Sequence, residues 1–457
     1  MRLVFDRGTL SFPGDWPAEL LRTVPGTLWD ARSGLFRAPP WRYAEIVAAL
    51  ARRGVAFEDG VAPGRTRLDA FDEVPLRPYQ QAALAAWDAA GRRGIAVLPT
   101  GAGKTRLAIA AIAATRAPAL VLVPTRVLLH QWCAEIARFH AAPIGRWGDG
   151  ARERAPVTVM TFESAYRHMG ELGGSFGLLV VDEVHHFGVG SRDEALEMAV
   201  APWRLGLTAT LPADEATRAA LAALVGHPVV ELAVHDLAGG YLAAFELVEL
   251  RLGLDADERR RHDAEVARFR PFFRAFRRIA GDASWKDFLA AARQSEEGRQ
   301  AVAAWRRGRK LVGYTRAKEA AVRALLARHA GARVLVFTAE NDAAYAIAER
   351  ELVMPLTCDI GRAEREAALA RFRTGELDVL VSARVLNEGI DVPDADVAII
   401  VGGTHGEREH VQRIGRLLRP APGKRAVVYE LVTEGTGEVA QAERRRDGLG
   451  RSIAVPA

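Results

Sequence analysis

Two stretches of the chain alternate short apolar runs with segments whose apolar residues recur at helical spacing. The first stretch extends from about Leu76 to Glu231 and the second from about Leu311 to Thr433. Apolar runs joined by helices are typical of parallel strands that are buried on both faces of a sheet. The pattern therefore predicts an α/β protein with two parallel sheets. The predicted strands are Ile95–Leu98, Ala119–Val123, Val157–Met160, Leu178–Val181, Arg204–Leu207, Arg333–Phe337, Asp378–Val381, Asp396–Val401 and Arg425–Leu431.

Two other segments do not follow this pattern. Residues 1–70 are aromatic and punctuated by prolines, which favours a small separate domain. Residues 256–310 contain 15 Lys and Arg against 8 Asp and Glu, an excess of +7 that is larger than the net charge of the whole chain, +5. A solvated amphipathic helix explains these arginines as well as a surface that binds phosphates does. The domains predicted from these patterns are 1–70, 71–235 and 236–457, the last with 256–310 as an insertion.

The composition adds little to this picture. The chain of 457 residues is 49% apolar and 26% charged, as expected for a globular protein of several domains. Its two cysteines, Cys133 and Cys358, are far apart in sequence and cannot form a zinc ribbon. No apolar run approaches the roughly 20 residues of a membrane helix. We therefore expect a soluble, cytoplasmic protein with reduced thiols.

A phosphate-binding loop follows the first predicted strand. Pro99-Thr100-Gly101-Ala102-Gly103-Lys104-Thr105 lies between a strand and a helical run, which is the context that this motif requires. The glycines allow backbone N–H groups to face phosphate oxygens, and the start of the helix adds a positive dipole. Lys104 would contact the β- and γ-phosphates of ATP, and Thr105 would bind Mg²⁺. The residues predicted to hold the nucleotide here are Thr100, Gly101, Ala102, Gly103, Lys104 and Thr105.

An acidic pair follows the strand Leu178–Val181. Asp182 and Glu183 open the sequence Asp182-Glu183-Val184-His185-His186. Asp182 would bind Mg²⁺, and Glu183 would orient and deprotonate the attacking water. His185 is predicted to have a coupling role and to contact the γ-phosphate or the second lobe, although a lone histidine is often structural.

A cluster of arginines lies near the C-terminus. Arg413, Arg416 and Arg419 recur at a spacing of three, so that one helix face would carry all three. Arg416 and Arg419 could neutralise charge on a γ-phosphate across a cleft, as arginine fingers do. Upstream, Gly389 and Asp391 could contact ribose or phosphate from the second predicted sheet, or simply form a turn.

Taken in order, these motifs resemble those of superfamily 2 helicases. The resemblance implies two tandem RecA-like P-loop domains. It implies that Arg77 and Gln80, in Leu76-Arg77-Pro78-Tyr79-Gln80, form an adenine-reading Q motif. It adds Gln412 to the catalytic residues Lys104, Asp182, Glu183, His185, Arg416 and Arg419. Nucleic-acid contacts are implied for Thr125 and Arg126 in motif Ia and for Thr161 in motif Ic, and Thr208-Ala209-Thr210 looks like the coupling motif III.

The finer resemblance is to the XPB family in its short archaeal and bacterial form. It covers residues ~75 to ~430 and is carried by Gly148-Asp149-Gly150, Asp182-Glu183-Val184-His185, Leu205-Gly206-Leu207-Thr208-Ala209-Thr210-Leu211, Gly240-Tyr241-Leu242-Ala243 and the stretch Gln412 to Arg419. The family carries a damage-recognition-like domain at the position of residues 1–70. It carries a basic, helical thumb at the position of 256–310, in which Arg274 and Arg277 would contact DNA. The family helps to melt DNA with an Arg-Glu-Asp element, and the corresponding residues here are Ala213-Asp214-Glu215, which keep the acids and lack the arginine. The resemblance therefore supports ATP hydrolysis more strongly than it supports duplex opening by this element.

The resemblance implies a DNA helicase or double-stranded DNA translocase that depends on ATP and Mg²⁺ and moves 3′ to 5′. It would act in nucleotide excision repair, and its substrate would be double-stranded DNA, including forked or bubble DNA. A separate nuclease of the Bax1 type would be its partner. The alternatives are the motor of a restriction or defence system, an RNA helicase, and a nucleotide-gated scaffold without turnover. Asp-Glu-Val-His in place of Asp-Glu-Ala-Asp counts against the RNA helicase, and Glu183 and Arg416 count against the scaffold.

Overall fold

The chain forms two compact units in a computed structural model, Met1–Leu232 and Ala233–Ala457. The structure describes residues 1–61, 63, 67–68, 71–237, 241, 244–281, 283–383, 395–402, 425–446 and 453–454. Five residues predicted to act at the nucleotide, Gly389, Asp391, Gln412, Arg416 and Arg419, lie outside these ranges. Among the residues that the structure describes, no helix combines the length and the apolar character that a membrane-spanning helix requires.

The first 59 residues form a small sheet with two helices. Its strands are β1 (Arg2–Asp6), β2 (Thr9–Ser11), β3 (Leu28–Asp30), β4 (Leu35–Ala38) and β5 (Glu58–Asp59), in the order β3-β4-β2-β1-β5. Its helices are α1 (Ala18–Arg22) and α2 (Tyr43–Arg52), and a short 3-10 helix spans Pro40–Arg42. We call residues 1–61 the N-terminal module.

A mixed sheet, parallel apart from one edge strand, forms the rest of the first unit, which we call lobe 1. Its strands are β6 (Arg93–Val97), β7 (Ala119–Val123), β8 (Gly145–Gly148), β9 (Ala151–Glu153), β10 (Val157–Thr161), β11 (Leu178–Val181), β12 (Trp203–Thr208) and β13 (Pro228–Glu231). Their order is β13-β6-β12-β11-β7-β10-β8-β9, and only β9 is antiparallel to its neighbour. The helices are α3 (Pro78–Ala89), α4 (Lys104–Thr115), α5 (Arg126–Ala137), α6 (Phe162–Leu172), α7 (Glu194–Glu197) and α8 (Glu215–Leu224), with 3-10 turns at Val184–His186 and Ser191–Asp193.

The N-terminal module and lobe 1 exchange side chains between their cores. Val200 of lobe 1 is fully buried within the hydrophobic cluster of the module. Trp41 of the module packs in return against the core cluster of lobe 1. Gly8 and Gly174 lie where this interface is tightest: a Cβ at Gly8 would be 2.8 Å from the sulfur of Met198, and one at Gly174 would be 2.7 Å from the ring of Phe5. The module is therefore packed on lobe 1 by interdigitating apolar side chains.

Arg204 on β12 is a charged residue at the centre of lobe 1. Its side chain is completely buried, and burial, with the neighbouring Arg93, lowers the pKa of the guanidinium to about 9, so that it is still charged at neutral pH. Its donors bind backbone carbonyls near the ends of two helices, namely Leu196 (3.0 Å), Ala199 (2.5 Å), Ala201 (3.1 Å) and Leu224 (2.7 Å). Helix C-termini carry a partial negative charge, which is the complement that a buried cation needs.

We expect Arg204→Met to lower the free energy of unfolding of the first unit by about 2–4 kcal/mol, because it leaves buried carbonyls without donors. Calorimetric unfolding would measure the effect. Arg192→Met removes an exposed arginine from the same unit and should change the unfolding temperature little. Equal stability of the two variants would contradict a structural role for Arg204.

The second unit contains a parallel sheet, lobe 2. Its described strands are β14 (Ala244–Leu252), β15 (Val334–Thr338), β16 (Met354–Leu356), β17 (Val379–Ala383), β18 (Val397–Ile400), β19 (Arg425–Thr433) and β20 (Ile453–Ala454), in the order β16-β17-β15-β18-β19-β14-β20. The described helices outside the insertion are α9 (Val234–Leu237), α13 (Arg316–Arg328), α14 (Asn341–Glu351), α15 (Arg362–Thr374) and α16 (Gly437–Arg446). The fold class predicted from the sequence, two parallel sheets with intervening helices, is confirmed.

Three helices form the basic insertion, which we call the thumb: α10 (Ala256–Ala280), α11 (Trp285–Ala292) and α12 (Glu296–Gly313). Phe288, at 1% exposure, is the centre of an aromatic cluster whose ring centroids lie 4.8–6.1 Å from its own. The rings around it are those of Phe269, Phe272, Phe273, Phe276 and Trp285. Phe288 and the phenylalanines around it therefore form the core of the thumb, and Trp285, which is 38% exposed, lies at the margin of this core.

Candidate functional site

The candidate motifs of lobe 1 all lie along one edge of its sheet. The phosphate-binding loop follows β6, Thr208 ends β12, Asp182 follows β11, Thr125 follows β7 and Thr161 ends β10. These strands are parallel neighbours in the order β6-β12-β11-β7-β10. Their carboxyl ends therefore form a continuous row, which is where parallel sheets bind ligands.

The phosphate-binding loop is a turn in which two glycines have a left-handed backbone. Gly101 has φ of 84° and Gly103 has φ of 75°, values that other residues rarely adopt. Lys104 is the first residue of α4, and its ammonium donates to the carbonyl of Leu98 at 3.2 Å. Thr105 is the next residue of the same helical turn. The loop thus has the strand–turn–helix geometry that was predicted from its sequence.

Tyr79 and Gln80 on α3 support this loop from behind. The Tyr79 hydroxyl donates to the carbonyl of Ala102 at 2.7 Å, and the Gln80 amide donates to the carbonyls of Ala102 (2.9 Å) and Gly103 (3.1 Å). In a trans peptide the N–H points away from the C=O. Holding these carbonyls toward α3 therefore turns the N–H groups of Gly103 and Lys104 to the opposite side, where a phosphate would be bound.

Gln80 uses its whole amide in these contacts. Its carbonyl oxygen accepts a hydrogen bond from the backbone N–H of Arg77 at 2.9 Å, and its side chain is 2% exposed. A Cβ at Gly103 would be 2.4 Å from the Gln80 nitrogen, so that a larger residue there would push the Gln80 amide out of its hydrogen bonds. Adenine contacts by Arg77 and Gln80 stay predictions, and in this structure Gln80 braces the loop. The sequence motif did not indicate this second role.

Asp182 is held at the end of β11 by two donors. Trp132 donates its indole N–H to one carboxylate oxygen at 2.9 Å, and the backbone N–H of Glu183 donates to the other at 3.0 Å. Burial, with the neighbouring Glu183, raises the pKa of Asp182 to about 6, although Lys104 and the Trp132 N–H act in the opposite direction. A buried carboxylate is stabilised by a cation, so this residue suits a divalent metal ion. Sequence reasoning missed Trp132, which orients the carboxylate from α5.

Glu183 has a strained backbone and a half-buried carboxylate. Its φ is 49°, in the left-handed region that favours glycine. Its Oε2 atom is buried, accepts no hydrogen bond from a described residue and lies 3.4 Å from Nδ1 of His185. Residues held in such conformations cluster at functional sites, where the surrounding structure offsets the strain. A carboxylate oxygen that lacks a donor is well suited to accept a proton from water.

His185 connects the acidic pair to motif III. Its Nδ1 lies 3.0 Å from the hydroxyl of Thr208, and that hydroxyl lies 2.8 Å from the carbonyl of Thr210. A hydroxyl has one hydrogen, so if Thr208 donates to the Thr210 carbonyl it must accept from Nδ1–H. A continuous path of polar contacts therefore runs from Glu183 through His185 and Thr208 to Thr210.

The residues expected to contact nucleic acid in lobe 1 have clear local roles. Thr125 is the N-cap of α5 and accepts from the N–H of Leu128 at 3.3 Å. Thr161 is the N-cap of α6 and accepts from the N–H of Ser164 at 3.3 Å. Arg126 is mostly exposed and forms an ion pair with Asp149 at 3.2 Å. These contacts explain the positions of the three residues, and their role at DNA stays a prediction.

The segment Ala213-Asp214-Glu215 begins α8. Asp214 is the N-cap and accepts from both the N–H (2.7 Å) and the hydroxyl (2.6 Å) of Thr217, hydrogen bonds that lower the pKa of its carboxyl. Arg218 donates to the carbonyl of Ala213 at 2.9 Å. Ala213, which stands where the family has an arginine, therefore lies beside the guanidinium of Arg218.

In the thumb, the structure separates the two arginines that were predicted together. Arg274 is exposed on α10 and faces a groove. Arg277 donates to the carbonyl of Ala283 at 3.2 Å, just beyond the end of α10. Arg274 is therefore the better placed of the two for an external anion.

Comparison with known proteins agrees with this geometry. Residues 3–61 match the xeroderma pigmentosum group B helicase damage recognition domain, residues 73–213 match the type III restriction enzyme res subunit, and residues 317–421 match the helicase conserved C-terminal domain. A solved structure of the Pyrococcus furiosus Hef helicase domain has the same fold, with a TM-score of 0.54 and 19% identity over 81% of this chain and 98% of that one.

Two relatives are similar over most of the chain. The DNA 3′-5′ translocase XPB2 of Sulfurisphaera tokodaii is 32% identical over 93% of this chain and 96% of the relative. The DNA 3′-5′ helicase XPB of Mycobacterium tuberculosis is 32% identical over 81% of this chain, and the match spans 63% of that relative. The resemblance inferred from the motifs is confirmed: this chain belongs to the XPB family of helicases.

Proposed function

We propose that this chain is an ATP-dependent DNA helicase and double-stranded DNA translocase that moves 3′ to 5′ and serves nucleotide excision repair. The observation that carries the proposal is the row of groups at the carboxyl edge of lobe 1. Lys104, Asp182 and Glu183 lie there together, and His185 links them to Thr208. Curated relatives are named as DNA 3′-5′ helicases or translocases, which supports DNA as the substrate.

Each group in the row has a part in hydrolysis. The N–H groups of the loop and Lys104 would bind and neutralise the phosphates of ATP. Thr105 and Asp182 would hold Mg²⁺, which supplies charge neutralisation at the phosphates when bound. Glu183 would orient the attacking water and accept its proton. The second lobe would contribute Gln412, Arg416 and Arg419 to the same nucleotide, as the family resemblance implies.

A restriction or defence motor is the second candidate, because residues 73–213 match a restriction-enzyme subunit. The match of residues 3–61 to a damage recognition domain favours repair. A separate nuclease of the Bax1 type and a cytoplasmic location stay predictions from the sequence.

The test compares the rate of ATP hydrolysis without nucleic acid and with double-stranded DNA, single-stranded DNA or RNA. We expect the strongest stimulation by DNA. Stronger stimulation by RNA would favour an RNA helicase, and the absence of hydrolysis under all conditions would favour a scaffold.

We expect Thr208→Val to uncouple hydrolysis from movement, because valine keeps the shape of threonine but removes the hydroxyl between His185 and Thr210. The DNA-dependent increase in ATP hydrolysis, and the displacement of a triplex-forming strand per ATP, should fall about tenfold, as expected for the loss of one or two buried hydrogen bonds. Thr217→Val should be without this effect, since its hydroxyl bonds only Asp214 among the contacts described. If Thr208→Val displaced as many triplex-forming strands per ATP as the wild type, the Thr208 hydroxyl would have no role in coupling hydrolysis to movement.

A further inference from the structure

A tight hairpin in lobe 1 places a carboxylate beside the start of α5. Strands β8 and β9 are joined by Asp149 and Gly150 alone, because Gly148 pairs directly with Ala151. Asp149 has φ of 53° and Gly150 has φ of 84°, the left-handed backbone that a two-residue type I′ loop requires at both positions. Asp-Gly is a favoured sequence for such a loop. The turn thus accounts for the backbone of Asp149 and leaves its side chain without an assigned role.

The hairpin packs on the two helices whose N-cap residues are expected to contact nucleic acid. A Cβ at Gly148 would be 3.0 Å from Cγ2 of Thr161, the N-cap of α6, and 3.2 Å from Cδ1 of Leu129 on α5. The preceding residue on β8, Trp147, is buried in the core of lobe 1. The carboxylate of Asp149 therefore has a fixed place beside α5.

Both oxygens of the Asp149 carboxylate are bound by side chains of α5. Oδ1 lies 3.2 Å from a guanidinium nitrogen of Arg126, and Oδ2 lies 3.0 Å from Nε2 of His130. Arg126 and His130 are four residues apart, so they share one face of the helix. A carboxylate ion only accepts hydrogen bonds, so Nε2 of His130 carries the hydrogen. Asp149 is therefore the anion that these two donors bind in the free protein.

The contact between Asp149 and Arg126 is of a kind that another anion can replace. The side chain of Arg126 is 72% exposed, and exposed ion pairs contribute little because water competes for both partners. A DNA phosphate is a stronger partner, since guanidinium groups bind phosphate oxygens in bidentate fashion and binding releases counterions. The replacement leaves the carboxylate with a donor, because His130 still binds its other oxygen.

We propose that Asp149 is the exchange partner of Arg126: its carboxylate binds this guanidinium in the free protein and gives it up to a DNA phosphate. The inference rests on the proposed function, in which Arg126 contacts DNA. Asp149 acts through Arg126 and is therefore a positioning residue. A translocase must release each phosphate before it moves on, and the carboxylate offers Arg126 an alternative partner at that moment. Asp149 thus limits how tightly lobe 1 holds DNA.

The test measures the affinity of the full chain for a fluorescein-labelled blunt DNA duplex by anisotropy, in the wild type and in Asp149→Asn. Asparagine has the size of aspartate and is favoured before glycine in a type I′ loop, so the hairpin is preserved. Binding should become about two- to fivefold tighter, the factor that corresponds to one exposed ion pair. The DNA concentration that half-saturates ATP hydrolysis should fall by the same factor. A merely structural role of Asp149 would weaken binding instead.

A double-mutant cycle shows whether Asp149 acts through Arg126. Arg126→Gln alone should weaken binding and reduce the slope of log K against log salt by about 0.9, the contribution of one phosphate contact on duplex DNA. Adding Asp149→Asn to this variant should then change the affinity no more than the control does. The matched control is Glu153→Gln, which removes a carboxylate from the same hairpin and also releases an arginine, Arg146, from an ion pair at 3.1 Å. It should leave the affinity nearly unchanged.

Weaker or unchanged binding by Asp149→Asn would overturn the proposal. A gain that Glu153→Gln matches, or that persists in full when Arg126 is glutamine, would overturn it too, since the effect would then be one of general charge. So would wild-type affinity in Arg126→Gln, because no phosphate would then take the place of the carboxylate. Failure of the proposed function is separate, because it would appear as wild-type ATP hydrolysis that no nucleic acid stimulates.

Discussion

Replacing Lys104 with alanine is expected to reduce ATP hydrolysis by about a hundred- to a thousandfold, the loss typical when one preorganised charged donor is removed from a transition state. Two effects combine in this variant. The phosphates lose a cation at the start of α4, and Asp182 loses the charge that lowers the pKa of its carboxyl. Nucleotide affinity should fall as well, since the ammonium would contact bound ATP and not only the transition state.

The measurement is steady-state ATP hydrolysis with saturating DNA, together with the binding of a fluorescent ATP analogue. Lys286→Ala is the matched control, because it removes an exposed lysine from the thumb. Turnover by Lys104→Ala at the level of Lys286→Ala would show that the loop does not bind the phosphates.

Glu183→Gln is expected to leave ATP binding nearly unchanged and to reduce hydrolysis by about a hundred- to ten-thousandfold, the range typical of general bases. Glutamine has the size of glutamate and can adopt the same place beside His185, but it cannot accept a proton. The expected result is therefore a stable complex with ATP, in contrast to the weakened binding of Lys104→Ala.

A single-turnover experiment with labelled ATP separates binding from cleavage in this variant. Glu171→Gln changes an exposed glutamate on α6 and should behave as the wild type. Cleavage at the wild-type rate in Glu183→Gln would remove Glu183 from the chemistry and leave its left-handed backbone without a functional explanation.

Much of the fold follows from the sequence because the central strands are uniformly apolar. The strands Ala119–Val123 and Leu178–Val181 have the bounds that their apolar runs predict, and their residues are all buried. The edge strand β13 (Pro228–Glu231) and the strand β14 (Ala244–Leu252) were not predicted. β14 interrupts its apolar residues with Glu246, Glu249 and Arg251, so its sequence does not resemble that of a buried strand. Its pairing with β19 over nine residues, a contact distant in sequence, determines its structure.

In the candidate site, too, some features follow from the sequence and others depend on contacts between distant residues. Motif spacing places Lys104, Asp182 and Glu183 at strand ends, and the parallel order of the strands brings these ends to one edge. The roles of Trp132 and Tyr79 depend on side-chain directions across neighbouring elements, and a periodic pattern carries no information about them. The local roles of Thr125 and Thr161 as helix caps could have been predicted, because threonine before a helical run is a typical N-cap.

The shared core of the first unit means that a truncated protein beginning near residue 70 would not be a faithful model of the ATPase. Such a truncation would leave Val200 without its apolar surroundings and remove Trp41 from the surface it covers. The shared core also couples the stability of the two parts. A ligand that binds only the folded N-terminal module stabilises lobe 1 too, including the nucleotide-binding loop, if the two unfold together. Binding of such a ligand to the module would thus raise the unfolding temperature of the ATPase without any movement of the module relative to lobe 1.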